Sequence, residues 1–174
     1  MPVKAYLNLF VQIVLLVRGP QDVPYSHTLF RMVLVLYFVT GLTSLLTVDT
    51  MGDALYAMLL DVSLLLVFSL LILRSFAKPS RFIQMTTALL AVGCLFQVLD
   101  VPLLWYLQQV KAANEQAPFA SLILLLLMSW NLAVYAHIIR HSLDVRMPVA
   151  FVLTLCYVIM AVMSRQLLIP SAGA

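Results

Sequence analysis

Five stretches of this chain stay apolar long enough to cross a lipid bilayer, and that leaves few folds open. A bilayer core about 30 Å thick takes about 20 helical residues to cross. Backbone polar groups inside it must be satisfied within the segment, so such runs fold as helices. The expected spans are about 29–48, 54–73, 82–106, 118–139 and 147–169. Of 174 residues, 64% are hydrophobic and 10% charged, against roughly 45–50% and 25% in a soluble domain. A water-facing surface could not be covered, and five spans leave no room for a separate soluble domain.

Ahead of the first span, Val3 to Val17 is apolar but too short to cross comfortably. Lys4, Asn8 and Gln12 recur every fourth residue and draw a polar stripe along it. That pattern predicts an amphipathic helix at the membrane interface, with Leu7, Phe10, Val14 and Val17 in the acyl region. A signal peptide is the competing reading, but Val17-Arg18-Gly19-Pro20 provides no small-x-small cleavage site. Two prolines and a glycine in Gly19–Pro24 break the helix, and Ser26 or Thr28 can cap the next one. The expected fold is therefore all-α. Residues 1–24 form an N-terminal amphipathic interfacial helix and a proline-rich break, and 25–174 a five-helix transmembrane bundle. The third span is expected to be interrupted at Asp100-Val101-Pro102.

The basic residues orient the bundle. With the N-terminus inside, Lys4, Arg18, Arg31, Arg74, Lys78, Arg81, Arg140 and Arg146 fall on the cytoplasmic side, and only Lys111 and Arg165 outside. The positive-inside rule prefers this arrangement, and five spans leave the C-terminus periplasmic in a bacterial inner membrane. Four spans, with the last apolar run on the surface, would return the tail to the cytoplasm. Met147 to Met163 has no polar face to support that.

Ionisable groups inside a membrane are costly and need a partner or a task. Asp61, Asp100 and Arg165 share the outer leaflet, with Gln97 one turn from Asp100. They read in three ways: an internal ion-pair cluster that fixes helix contacts, a proton or cation site with Asp61 titrating, or side chains snorkelling to the interface. Gln84, Asn131 and His137 form a second polar group in the inner leaflet, suited to hydrogen bonds across helices. His137 and His141 have helical i, i+4 spacing, but no third ligand is placed to complete a metal site. Cys94 and Cys156 lie in apolar runs and read as packing residues. Thr40, Gly41, Ser44 and the Thr43/Thr47 pair give the first span small faces suited to close helix contact.

Phosphate-cradling glycine loops, a zinc-protease motif and a nucleophile elbow are all missing from the sequence. His137 and His141 lie across the bilayer from Asp61 and Asp100, which rules out a Ser/His/Asp relay. The basic stretch Arg74–Arg81 suits anionic headgroups rather than nucleic acid. No enzyme activity and no cofactor is expected. The partners expected are the lipid bilayer and other membrane proteins or further copies of this chain.

Two segments also carry a resemblance: Arg18-Gly19-Pro20-Gln21-Asp22-Val23-Pro24, ahead of the first span, and Arg81-Phe82-Ile83-Gln84-Met85-Thr86-Thr87-Ala88-Leu89-Leu90, opening the third. With five spans, an inside N-terminus and short connections, the chain resembles the Yip (Ypt-interacting protein) family and its small bacterial relatives. The eukaryotic members are similar to membrane-shaping and GTPase-adaptor components, and the resemblance implies a role of that kind. The long cytosolic N-terminal region of the eukaryotic members is not in this sequence, so no GTPase contact is expected. Two functions are carried forward. The first is a non-enzymatic assembly or scaffold subunit, and the second a small proton- or cation-coupled transporter or channel using Asp61.

Overall fold

The structure, a computed structural model, describes residues 3–168. Ile169, the tail Pro170–Ala174 and with them the expected position of the C-terminus lie outside the described residues. Six helices follow in order: α1 (Val3–Val14), α2 (His27–Leu45), α3 (Met51–Ser75), α4 (Phe82–Ala112), α5 (Pro118–Leu143) and α6 (Met147–Leu168). Single 3-10 turns at Pro20–Asp22 and Pro79–Arg81 lead into α2 and α4. The last five helices are each long and apolar enough to cross a membrane. The chain is thus an all-α bundle of membrane-spanning character.

Local chemistry sets the helix ends. Ser26 caps α2 by accepting from the Leu29 amide at 3.3 Å, and Thr50 does the same for α3 from Asp53. Pro118 opens α5, where its missing N–H costs nothing. At the other end of α5, Asp144 turns the chain with φ 52°. Three carbonyls of that last turn are claimed from elsewhere. Lys78 Nζ donates to Leu143 O at 2.7 Å, and Arg81 Nη1 to Ser142 O at 2.9 Å and His141 O at 3.2 Å. Both cations also bind Asp144 Oδ2, at 2.5 and 2.9 Å. Cations at a helix C-terminus offset the helix dipole as well as the orphan carbonyls. The α3–α4 loop is thereby fastened to the end of α5.

Asp100–Pro102 does not interrupt the third span. Pro102 sits inside a continuous α4 that runs on to Ala112. The ring removes one backbone hydrogen bond, but Pro102 and the preceding Val98 and Leu99 are exposed, so it clashes with no packed neighbour. Most of the expected loop Gln108–Gln116 is therefore helix.

Helix α4 is the centre of the bundle, packing against α1, α2, α3 and α5, while α6 packs on α5 and α3. Burial is uneven along the axis. Residues Met85–Gly93 of α4 are buried without interruption, as are most of Val134–Leu143 of α5. Both stretches adjoin the basic end. Towards the opposite end Trp105, Leu122, Leu125 and Leu126 are exposed. The helices are packed tightly at the basic end and stand apart at the other.

Helix α1 is amphipathic, with Lys4 and Asn8 exposed. The sequence reading places it at the membrane interface, a placement that packing against the bundle neither meets nor opposes. In the structure it leans on the sides of α4 and α5, with Leu9, Phe10 and Ile13 in the common core. Of the four residues assigned to the acyl region, only Phe10 is buried, and Leu7 and Val17 are exposed. The end of α1 and the chain that follows it are held at three points. Trp130 Nε1 donates to Val14 O at 3.2 Å, His137 Nε2 lies 3.1 Å from Arg18 O, and Gln84 Nε2 donates to Val23 O at 2.8 Å. Trp130 is about 20 Å along α5 from Leu143 at 1.5 Å per residue. The end of α1 is set back by that distance from the basic end of α5.

Candidate functional site

Towards the end opposite the basic one, the five long helices α2 to α6 line a cleft of about 380 Å³. Its polar lining contains Asp61, Gln97, Asp100 and Arg165, the four outer-leaflet residues singled out in the sequence. Their internal pairing differs from the ion-pair cluster. Arg165 bonds to Asp49, in the α2–α3 connection, rather than to Asp61 or Asp100. Position explains this: Arg165 lies three residues before the end of α6, whereas Asp61 is about 15 Å down α3 from Met51. A side chain near the rim meets the connecting loop before it can reach the middle of the bundle.

Asp61 is held by two tyrosines. Tyr37 Oη donates to Asp61 Oδ2 at 2.5 Å and Tyr157 Oη to Asp61 Oδ1 at 3.2 Å. Tyr37 comes from α2 and Tyr157 from α6, so one carboxyl joins three helices. Tyr157 stacks at a tilt on Tyr135, ring centroids 6.3 Å apart, and on Phe68 at 5.4 Å. Tyr135 in turn donates to Leu89 O of α4 at 3.2 Å. Gly93 makes the arrangement possible, since a Cβ there would overlap the Tyr37 ring and lie 2.9 Å from Tyr135 Oη.

Higher in the cleft, Thr40 donates to Gln97 Oε1 at 2.6 Å. Gly41 beside it leaves room for Met58 and the Gln97 amide. Asp100 stands by itself: its Oδ1 is buried and has no hydrogen-bond partner. Every ion pair among the described residues lies at one end of the bundle or the other, at Lys78, Arg81 and Asp144 or at Arg165 and Asp49. Neither acidic side chain of the cleft has a basic partner. The remaining wall is apolar, and exposed Met128 and Val162 form part of the rim with Arg165.

The inner-leaflet group does not assemble. Gln84 and His137 each bind the chain between α1 and α2, and Asn131 makes no side-chain hydrogen bond among the described residues. They fasten that segment to α4 and α5. His137 and His141 do meet edge to face, with centroids 4.4 Å apart. Among the described residues no three His, Cys, Asp or Glu side chains converge as metal ligands would.

Sequence reasoning missed the tyrosines. The available signal was depth. Tyrosine favours membrane interfaces, and Tyr25, Tyr56, Tyr106 and Trp105 are indeed exposed, whereas Tyr37, Tyr135 and Tyr157 lie well inside their spans. A tyrosine at that depth needs a partner for its hydroxyl.

No protein-family model, curated protein or solved structure matches the chain. Its function has to be read from the site itself.

Proposed function

We propose that this chain is a small membrane transporter in which Asp61 carries the coupling proton or cation and the cleft admits the solute from the outer side. One observation carries this reading: two acidic side chains face a cleft between membrane-spanning helices with no basic partner within it. An uncompensated carboxylate in a medium of low dielectric is too costly to serve packing alone. A proton or a bound cation supplies the missing charge balance, and exchanging one for the other is transport. The tyrosine hydroxyls would hold Asp61 in place through such a cycle.

The scaffold reading drew on the lack of soluble parts, catalytic motifs and cofactor ligands, together with the small faces of the first span. Of those faces, the one with Gly41 and Ser44 is buried and lines the cleft, which supports the cleft, while Thr43 on the adjacent face is exposed. The positive-inside bias supports an inner-membrane setting with the cleft facing outward.

The test is flux. Proteoliposomes containing the protein should dissipate an imposed proton or alkali-cation gradient faster than protein-free vesicles, and Asp61→Asn should abolish the difference while eluting as the same monodisperse species. Equal leak from loaded and empty vesicles would overturn the proposal. So would undiminished flux through Asp61→Asn.

A further inference from the structure

Within the cleft the two carboxyls stand in different situations. Asp61 already accepts two hydroxyl hydrogen bonds, whereas the buried Oδ1 of Asp100 accepts none. The only cation on the lining, Arg165, is engaged by Asp49. The local field therefore favours positive charge. The outer part of the cleft, where Asp100 lies, has apolar and soft walls: Met58 on α3, Met128 on α5 and Val162 on α6. Met128 and Val162 are 61% and 46% exposed, on surfaces that a membrane-spanning helix turns towards acyl chains. The cleft can thus be entered from the side by a molecule dissolved in lipid.

We infer that Asp100 is the subsite for the head of an amphipathic organic cation, a protonated amine with an apolar body that lies against Met58, Met128 and Val162. An ammonium donates to the Asp100 carboxylate where it lines the cleft, and its hydrocarbon part replaces lipid or water along the apolar wall. The volume of about 380 Å³ lies in the lower part of the range of small-molecule pockets, about 300–1,000 Å³. A metal ion fits the site less well. Among the described residues no three His, Cys, Asp or Glu side chains converge at Asp100, and much of the wall beside it is thioether and methyl rather than oxygen. This inference rests on the transport reading of the cleft and assigns the solute class that reading leaves open.

Binding tests it without requiring flux. Benzylamine and its neutral counterpart benzyl alcohol are titrated calorimetrically into the protein in phosphatidylcholine nanodiscs, against protein-free discs. The amine should bind saturably at one site, and the alcohol at least about tenfold more weakly, the equivalent of about 1.4 kcal/mol. A charge-assisted hydrogen bond supplies that difference. Asp100→Asn should weaken the amine by a similar factor and leave the alcohol unchanged. Asp53→Asn removes an exposed charge capped by Thr50 and should bind the amine as the native protein does. If Asp100→Asn fails to fold, Asp100→Glu should still prefer amine to alcohol. Equal affinity for amine and alcohol in the native protein overturns the inference, as does full amine affinity in Asp100→Asn. Discriminating binding without proton or alkali-cation flux would sink the transport reading and leave the amine site standing. Such flux without discrimination would sink the amine site alone.

Discussion

Asp61, Tyr37 and Tyr157 come from three helices, and a glycine on a fourth lets them meet. Gly93 provides the surface against which the Tyr37 and Tyr135 rings lie, and neither ring can retreat into the buried core around it. Gly93→Ala should therefore lower stability by about 1–3 kcal/mol, the usual cost of overpacking, and disturb the Asp61 site as well. Thermal unfolding in detergent reads the first effect. Gly41→Ala is the contrast, because its Cβ would meet only the flexible ends of Met58 and Gln97, so it should narrow the cleft at smaller cost. The sequence marked Asp61, Gln97, Asp100 and Arg165 because charge inside a membrane is conspicuous. It could not pair them, because pairing depends on rotation and depth across helices. A tyrosine counts as apolar until its hydroxyl is found deep in a bundle, and Tyr37, Tyr135 and Tyr157 escaped notice on that account.

Helix α1 and the α3–α4 loop each add something that hydropathy does not report. Ile13 is fully buried and Leu15, two residues on, is 58% exposed. Ile13→Ala should cost about 2–5 kcal/mol, whereas Leu15→Ala should change the unfolding midpoint little. Similar small effects from both would mean that α1 is free of the bundle. The α1 stripe was visible in the sequence, but which neighbour covers the apolar side was not, since lipid and protein present the same chemistry to Leu9 and Phe10. The loop tie is a matter of charge. Lys78 first, and Arg81 with it, hold the Asp144 carboxyl below the usual carboxylate range. Its stabilising effect is therefore complete above the ordinary aspartate pKa and is lost as pH falls through the depressed one. The midpoint difference between the native protein and Asp144→Asn should shrink as pH is lowered from neutral into that acidic range. The effect is modest because the pair is largely exposed. Pro102 misled the sequence reading for a related reason: proline ends helices in water, yet a lipid-facing proline inside a long apolar span is tolerated.

At the scale of the whole molecule, the charge asymmetry predicts sidedness. With Cys94 and Cys156 replaced by serine, a cysteine at Ser80 should react with an impermeant thiol reagent only from the cytoplasmic face, and one at Asn114 only from the opposite face. Reaction at both positions from the same side would reject the expected topology. The five spans were legible because their length and apolarity follow directly from the thickness of lipid. The uneven packing along them was not, because hydropathy records how apolar a turn is and says nothing of how many neighbours surround it. That unevenness has a mechanical consequence. Buried α4 and α5 turns and the Lys78–Arg81–Asp144 tie clasp the bundle at its basic end, while at the other end Arg165 and Asp49 form the only ion pair among the described residues. The molecule is built like a pair of tongs, with its pivot at the cytoplasmic face in the expected orientation. A rocking of α6 and α3 at the tips would leave the pivot intact, and under the proposed function the solute would be taken and surrendered on one side unless the pivot itself gave way.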